Sequence, residues 1–410
     1  MRSLRLTGWL PPVLLVFIWS ACDGGGTDPL PPPPPPLPPP PSSVAPWTAI
    51  GGGEAYTCAL DSTSQVWCWG RRSAAAKVSF SPDFKPVTLA FGGFHVCGLD
   101  LLGDVWCWGD GSVGQLGHGQ RANSETPVKV HGGVRFVSLD AGRTHTCGIT
   151  SDSLAYCWGL NEDGQLGSGE SGFDQVATAP RAVATPLRFA SITAGVFHSC
   201  AITGDGAAYC WGRNGRHLGN TEDLVVEPRV QPTPSPVLGG LTFGLVDAGY
   251  YHTCGLSGTD AYCWGENFDG VLGAQPANSI PTRITNLPAL VSLHVGAMLG
   301  KASFVCGRAA DGRAYCWGSN RYGQLGAGSL EEHLPPGTSI VSGVPVAALG
   351  AGAEHMCSID LTGIAWCWGM DLDRQLGSST ARDTCQPSFP VPCSRTPTKV
   401  DAAPAVRNAS

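Results

Sequence analysis

Charged side chains are scarce in this chain, and it has no run of lysine and arginine. Asp, Glu, Lys and Arg make up 14% of the 410 residues, and the formal net charge is −7. Proteins that bind nucleic acid carry basic patches that neutralise phosphates. The sequence therefore argues against nucleic acid as a partner. It also lacks a basic amphipathic segment of the kind that lies on a membrane surface.

A sustained helical periodicity is absent as well. From Trp47 onward, short runs of Val, Leu, Ile and aromatic residues are separated by glycine-rich breaks. Such runs are typical of strands and turns. The composition therefore predicts an all-β fold.

The N terminus has a different character from the rest of the chain. Residues 1–21 combine the positive charges of Arg2 and Arg5 with an apolar stretch too short and broken for a permanent membrane span. This pattern predicts a signal peptide. Small residues precede Cys22, as in a bacterial lipobox, so Cys22 is the predicted lipidation site. Ordinary signal cleavage is the alternative.

Residues 22–46 follow as a predicted lipid-anchor site and Pro-rich tether. Proline favours an extended polyproline II path, which makes a stiff spacer. The predicted location is the cell envelope, at the outer membrane, the surface or the periplasm, with the lipid as the only membrane attachment. If Cys22 carries no lipid, we expect a secreted protein.

Internal repetition is the strongest signal in the sequence. A Trp-Gly pair recurs at intervals of 39, 50, 53, 53, 53 and 51 residues, beginning at Trp69, Trp108, Trp158, Trp211, Trp264, Trp317 and Trp368. A Gly-x-Leu-Gly segment and a Pro-containing strand usually follow each pair. Repeats of about 50 residues made of short strands are typical of propeller blades. We therefore predict a seven-bladed β-propeller over residues 47–410. The strand that begins at Trp47 is the one that normally follows the last strand of a repeat, so the first and last repeats can join into a closed ring.

The combined motif, Gly-Gly-x-His, then [Tyr/Trp]-x-Trp-Gly, then Gly-Gln-Leu-Gly, resembles the regulator of chromosome condensation repeat. The resemblance covers nearly everything from Trp47 onward. It implies seven four-stranded blades. The best-known member of that family is a nuclear exchange factor for a small GTPase that also binds chromatin. Bacterial relatives include a secreted inhibitor of β-lactamase, and this chain is predicted to be a bacterial, exported member.

Seventeen cysteines divide into Cys22 and eight pairs. An even set in an exported protein predicts disulfides. If Cys97 and Cys107 oppose each other across a hairpin, the loop has three residues and ends in Gly103, a favoured turn. Opposed strand residues come near disulfide reach. The predicted pairs are Cys58 with Cys68, Cys97 with Cys107, Cys147 with Cys157, Cys200 with Cys210, Cys254 with Cys263, Cys306 with Cys316, Cys357 with Cys367, and Cys385 with Cys393.

Metal binding and redox chemistry are the alternatives for these cysteines. A histidine stands two residues before the first cysteine in five repeats, at His95, His145, His198, His252 and His355. Two other repeats have Tyr56 and Phe304 there, so the position favours a ring rather than a ligand. No Cys-x-x-Cys motif is present, and seven equal copies suit architecture better than catalysis. We predict no metal, no cofactor and no catalytic residue.

Function is expected in the parts that do not repeat, because loops on a rigid scaffold usually carry binding. The sequence predicts a tethered scaffold that binds an unidentified protein or glycan through segments 170–178, 220–236, 330–339 and 378–394. The rival hypothesis is an enzyme acting on polysaccharide at the propeller channel. Nucleotide exchange, as in the nuclear relatives, conflicts with export, disulfides and the acidic balance. The sequence therefore favours a protein that is not an enzyme.

Overall fold

The computed structural model describes residues 45–71, 73–82, 84–220, 230–296, 303–329, 331–338, 340, 345–379, 383–386 and 390–401. Within these ranges, antiparallel strands form seven sheets, each built from strands that are consecutive in the chain. Six sheets have four strands and the last has five. The predicted all-β, seven-bladed propeller is thus confirmed.

The predicted signal peptide, Cys22 and nearly all of the tether lie outside the described residues. In the described part of the chain, no helix is long and apolar enough to cross a membrane. The two short 3₁₀ helices are Arg216–Leu218 and Phe268–Gly270.

The first four blades contain β1 (Trp47–Gly52), β2 (Tyr56–Asp61), β3 (Val66–Gly70) and β4 (Ser73–Lys77); β5 (Pro86–Phe91), β6 (His95–Asp100), β7 (Val105–Gly109) and β8 (Ser124–Lys129); β9 (Phe136–Ala141), β10 (His145–Thr150), β11 (Ala155–Leu160) and β12 (Val176–Ala182); β13 (Phe189–Ala194), β14 (His198–Thr203), β15 (Ala208–Arg213) and β16 (Val230–Pro236). The last three contain β17 (Leu245–Ala248), β18 (His252–Ser257), β19 (Asp260–Gly265) and β20 (Asn278–Arg283); β21 (Leu290–Gly296), β22 (Phe304–Ala309), β23 (Ala314–Ser319) and β24 (His333–Leu334); β25 (Val346–Ala351), β26 (His355–Asp360), β27 (Ala365–Met370), β28 (Asp383–Cys385) and β29 (Val391–Lys399).

The second and third strands of each blade form the predicted hairpin. In blade 2, Cys97 opposes Cys107, and Gly103 closes the three-residue turn with φ of 84°. In blade 5 the turn is one residue shorter, yet Cys254 still opposes Cys263. All seven blades carry a disulfide at this place, with Cα–Cα distances of 4.1 Å. The expectation of one hairpin disulfide per blade is confirmed.

Several pairs of neighbouring blades are joined by a polar contact that we call the latch. Between blades 2 and 3, the Trp158 indole Nε1–H donates to the Gln115 carbonyl oxygen at 3.0 Å, and the Thr146 hydroxyl donates to the same oxygen at 3.0 Å. His95 Nε2 lies 2.8 Å from the Thr146 hydroxyl, whose proton is already engaged, so His95 is the donor there. The Gly-Gln-Leu-Gly turn of one blade thus accepts hydrogen bonds from the next. Around the latch, the repeated tryptophans fill the inter-blade core, and Trp158, Trp211, Trp264, Trp317 and Trp368 are fully buried.

The connections between strands divide the ring into two ends. The hairpin end carries the turns between second and third strands; at this end Pro46 accepts a hydrogen bond from Ser62, and Trp47 donates to Gly363. The loop end carries the glycine corners after each first strand and the connections from third to fourth strands. Residues 45–47 therefore enter the ring at the hairpin end.

Candidate functional site

A cavity of about 300 Å³ lies on the ring axis and is lined by the first strand of every blade. Glycine and alanine supply much of its wall, because the first strands converge and leave little room for side chains. The loop end of this channel is bordered by the glycine corners, among them Gly52-Gly53, Gly92-Gly93 and Gly352.

One position on the first strand differs between blades. It is the residue that opposes the first cysteine of each hairpin, and from blade 1 to blade 7 it is Gly51, Ala90, Asp140, Thr193, Asp247, His294 and Gly350. Polar side chains therefore come from four consecutive blades, and small residues from the other three. Asp140, Asp247 and His294 line the cavity. We call these three residues and Thr193 the polar wall.

The polar wall also holds neighbouring first strands together. Asp140 Oδ2 accepts the Ala194 backbone N–H at 2.8 Å, and Asp247 Oδ2 accepts that of Val295 at 2.9 Å. Between them, the Thr193 hydroxyl donates to Asp247 Oδ1 at 3.2 Å. Each aspartate thus satisfies a backbone donor on the next blade, which is a structural role.

Burial changes the ionisation of these groups. Desolvation, followed by repulsion from Asp140, raises the pKa of Asp247 to about 7. Burial also raises the pKa of Asp140, and it lowers the pKa of His294 to about 4. An acid with a pKa near 7 can give or take a proton at neutral pH. Asp247 is therefore the member of the polar wall suited to acid–base chemistry.

A partly buried ion pair crosses the loop end of the channel. Arg143 Nε in blade 3 lies 2.7 Å from Glu54 Oε1 in blade 1. The arginine stem passes over Gly93 of blade 2, where an added Cβ would come within 3.0 Å of Arg143 Cγ. Glycine at this corner is what lets Arg143 reach across one blade.

Aromatic rings form a second feature of the loop end, beside blades 4 and 5. The rings of Phe197 and Tyr251 lie 5.5 Å apart, and those of Tyr250 and Tyr251 lie 4.3 Å apart. The Arg213 guanidinium sits 3.7 Å from the Phe197 ring centroid and makes a bidentate ion pair with Asp163. It also donates to the Tyr251 hydroxyl at 2.9 Å. We call this set the aromatic–arginine cluster; it is rigid because each member fixes another.

The sixteen cysteines of the predicted pairs all form disulfides. Each of them is buried except Cys68, which is half-buried. The seven hairpin bonds join Cys58 to Cys68, Cys97 to Cys107, Cys147 to Cys157, Cys200 to Cys210, Cys254 to Cys263, Cys306 to Cys316, and Cys357 to Cys367. The eighth bond, between Cys385 and Cys393, joins β28 to β29. These sixteen cysteines therefore have a structural role. Cys22 lies outside the described residues.

The five histidines that precede the cysteines are buried beside the blade interfaces. In four of them Nε2 lies 2.7–2.9 Å from a threonine or serine hydroxyl of the next blade. Burial lowers the pKa of all five, to about 3 for His145 and His252. Their place in the latch gives these four a structural role. Across the described ranges, no group of three or more His, Cys, Asp or Glu side chains could hold a metal ion.

Sequence reasoning missed the polar wall, Arg143 and Glu54. A signal was present in the residue two positions before each glycine corner, which varies between blades while its surroundings repeat. Recognising it required knowing that the first strand lines the axis.

Comparisons with known proteins agree with the sequence repeat and with the ring of blades. The chain belongs to the RCC1-like domain family, which it matches over residues 72–406. It is 28% identical to the ultraviolet-B receptor UVR8 of Arabidopsis thaliana over 322 residues, 76% of this chain and 71% of the receptor. The secretion-regulating guanine nucleotide exchange factor of Bos taurus is 27% identical over 228 residues, 49% of this chain and 48% of that protein. The chain thus spans about half the length of the latter relative.

Solved structures show the same fold. Yeast RCC1 (Prp20), in its complex with Kap60, superposes with a TM-score of 0.66 at 23% identity, over 75% of this chain and 78% of that one. The ectodomain of the receptor kinase CR4 from Physcomitrella patens gives 0.51 at 23% identity, over 84% and 77%.

Proposed function

We propose that this protein is an exported scaffold, tethered through Cys22 and the Pro-rich segment, that binds another macromolecule at its loop end. One observation supports this best. Each of the four segments that depart from the repeat follows the third strand of its blade, and the third strands end at the loop end. The described chain begins at the hairpin end. The loop end therefore lies on the opposite side of the ring from residues 45–47.

The family supports a binding role in general terms. RCC1-like relatives include a receptor and a guanine nucleotide exchange factor, as their names state. The rigid aromatic–arginine cluster adds a local reason, because Tyr, Phe and Arg held in fixed positions are the residue types that dominate interface energies.

Partner capture from the cell envelope tests the proposal. The purified propeller should retain a partner, and variants with segments 170–178 and 378–394 shortened should retain less. A matched control is the double substitution Leu101→Ser and Leu102→Ser, since both side chains are exposed at the hairpin end. Equal capture by loop-shortened and parent proteins would contradict the proposal.

The anchor has a separate test. Labelled palmitate should enter the parent protein and not the Cys22→Ser form. Equal labelling of the two forms would rule out Cys22 as the lipid site and leave the binding proposal standing.

An enzyme that acts on polysaccharide at the channel is the second candidate. It is favoured by the convergence of Asp140, Asp247 and His294 on one cavity, with the pKa of Asp247 raised to about 7. Screening the parent and an Asp247→Asn variant against cell-wall and plant glycans tests it. Release of products by the parent alone would support an enzyme; no release from any glycan would contradict it.

A further inference from the structure

A second cavity, of about 280 Å³, lies between blades 5 and 6, and we call it the side pocket. Its walls come from the turn after β19 and from the chain around β20 and β24, the fourth strands of these two blades. Residues 333–336 form part of the wall and belong to segment 330–339, which departs from the repeat. The volume is close to the lower end of the range for small-ligand sites. A cavity thus occurs where non-repeating chain meets a neighbouring blade.

Asp269 lies in the wall of the side pocket and has acceptor capacity to spare. Its side chain is only 7% exposed. Oδ2 accepts the Ser303 backbone N–H at 3.3 Å, while Arg321 Nη2 and His333 Nδ1 lie 3.6 Å and 3.5 Å from Oδ1. Among the described residues this carboxylate accepts no shorter hydrogen bond, although an ionised carboxylate can accept about four. A buried acceptor that lines a cavity is suited to the hydroxyl donors of a ligand.

Aromatic rings adjoin the side pocket. Phe268 directly precedes Asp269, and its ring lies 6.4 Å from that of Tyr251 in the aromatic–arginine cluster. Phe197 and Tyr250 complete this row of rings, and all four are partly exposed. The row therefore leads from blade 4 to the edge of the side pocket.

The charges around the rings and the side pocket balance. Each arginine here has an acid beside it, at nitrogen–oxygen distances of 2.7–3.6 Å: Arg213 with Asp163, Arg216 with Glu266, Arg283 with Asp260, and Arg321 with Asp269. A surface built from such pairs has no excess charge for an ionic ligand. It offers donors and acceptors side by side, which suits a neutral ligand rich in hydroxyl groups, because each hydroxyl both donates and accepts.

We propose that the row of rings and the side pocket bind a neutral oligosaccharide, with one sugar ring in the pocket and its neighbours over Phe268 and Tyr251. This inference rests on the proposed binding function and names the chemistry of the partner. The C–H face of a pyranose packs against the electron-rich face of an aromatic ring. Asp269 accepts hydrogen bonds from sugar hydroxyls, and Gln275 and Asn286 in the pocket wall supply amide donors and acceptors. A peptide with few hydroxyl groups would leave these polar groups unmatched.

The probes for the experiment are neutral hexasaccharides of β-1,4-linked glucose, xylose, mannose or N-acetylglucosamine, with hexagalacturonic acid as the charged counterpart. Titration calorimetry with the purified propeller measures their affinities. Proton NMR of the sugar adds a measurement that needs no variant, because stacking on an aromatic ring moves the sugar C–H resonances upfield.

The chain supplies matched controls for substitutions at the site. A second Phe-Asp pair, Phe173 and Asp174, has nearly the same φ at its aspartate, 61° against 60° for Asp269. Phe173 is 94% exposed and lies in segment 170–178, away from the side pocket. The test variants are therefore Phe268→Ala and Asp269→Asn, and their controls are Phe173→Ala and Asp174→Asn.

We expect the parent to bind at least one neutral hexasaccharide and not hexagalacturonic acid. Loss of the stacked ring in Phe268→Ala, or of the charged acceptor in Asp269→Asn, should weaken binding about tenfold in each case. The two controls should change the dissociation constant less than about twofold. Melting temperatures show whether each variant is folded, and the upfield shift in the parent complex holds even if a variant is not.

Equal effects of the test and control variants would overturn the proposal, and so would a bound sugar without upfield shifts. Equal or tighter binding of hexagalacturonic acid would reject a neutral ligand. Failure of every neutral probe to bind at about 1 mM would reject the site altogether. In that case, capture of a protein partner that still depends on the shortened loops would preserve the proposed function and reject only the oligosaccharide site.

Discussion

The interface that closes the ring, between blades 7 and 1, contrasts with the interface between blades 1 and 2. At the closing interface the latch is complete. Thr57 donates to the Gln375 carbonyl oxygen at 2.7 Å, Trp69 Nε1 donates to the same oxygen at 2.9 Å, and His355 Nε2 lies 2.7 Å from the Thr57 hydroxyl. Its geometry repeats the latch between blades 2 and 3.

The interface between blades 1 and 2 is built differently. Tyr56 replaces the histidine, and its hydroxyl lies 2.7 Å from the Gly92 and His95 carbonyl oxygens. Val96 stands where the closing interface has threonine, so the central hydroxyl is missing. Instead, Phe80 packs edge-on against Trp108 at a centroid distance of 5.5 Å. Aromatic packing takes the place of the polar contacts.

The residues at the interface make the difference, because blades 2 and 3 are also consecutive in the chain and yet have a complete latch. Blade 1 runs directly into blade 2, so the backbone keeps them at a high effective concentration. Blades 7 and 1 come from opposite ends of the described chain, and each blade is built only from consecutive strands. No shared sheet joins them within the described ranges, so the closure depends on the latch together with the backbone hydrogen bonds from Trp47 to Gly363 and from Ala353 to Gly53.

The largest expected effect of one substitution comes from removing the centre of the closing latch. Thr57→Val leaves the His355 N–H without a partner and takes one donor from the Gln375 carbonyl oxygen. Unsatisfied buried polar groups cost about 1–3 kcal/mol each, so we expect a loss of about 3 kcal/mol in urea unfolding. The control Thr88→Val, on the exposed side of β5, should change stability by less than about 0.5 kcal/mol. A loss of equal size in both variants would show that the latch hydroxyl is not important.

Lowering the pH should destabilise the closing interface more than the interface between blades 1 and 2. The difference in stability should be comparable to the loss expected for Thr57→Val. Burial lowers the pKa of His355 to about 4, whereas an unfolded histidine has a pKa of about 6.5. The folded-state value is the lower one, so the stability associated with the neutral ring is complete above about pH 6.5. It is lost as the pH falls toward 4, because the unfolded chain then binds the proton more tightly.

His355→Phe, chosen because blade 6 has Phe304 at the same position, should therefore reduce the fall in stability between pH 6.5 and 4 by about 3 kcal/mol. Tyr56→Phe, at the other interface, should leave the slope unchanged because tyrosine does not titrate in this range. Urea unfolding at several pH values checks both. Parallel pH profiles for the parent and His355→Phe would contradict the assignment.

Most of the blade architecture could be predicted from the sequence because the cysteines fix the hairpin register. Two cysteines ten positions apart can oppose each other in a hairpin only if the turn has three residues. Gly103 marks the turn residue that adopts a left-handed conformation. Ser64 and Ser153 occupy the same turn position in blades 1 and 3 with φ of 62° and 65°. Their turns could not be inferred from glycine, and the repeat alone identifies them.

The latch and the polar wall could not be predicted in the same way. The latch acceptor is a backbone carbonyl, and a carbonyl has no signature in the sequence. The polar wall depends on which strand lines the axis and on which residues of neighbouring blades meet there. Asp140 and Asp247 are 107 positions apart in the chain, and only closure of the ring brings both to one cavity.

A smaller effect should come from the indole donors. Trp69→Phe removes the hydrogen bond to the Gln375 carbonyl oxygen together with part of the ring, whereas Trp108→Phe reduces a ring whose packing partner is Phe80. The loss of volume is the same in both. We therefore expect Trp69→Phe to be less stable than Trp108→Phe by about 1 kcal/mol, the net value of one hydrogen bond, in parallel urea titrations. The opposite order would mean that aromatic packing stabilises its interface more than the indole donor does.

The smallest expected effect concerns the glutamine itself. Because the latch uses the backbone oxygen of residue 375, the side chain should be replaceable; Val271 already accepts from Trp317 at 2.9 Å in the equivalent place. What the Gln375 side chain does is accept the Asp373 backbone N–H at 2.9 Å, which closes its own turn. Gln375→Ala should therefore cost about 0.5 kcal/mol and leave the pH profile of unfolding unchanged. A loss as large as that of Thr57→Val would show that the glutamine side chain, rather than its carbonyl, holds the ring closed.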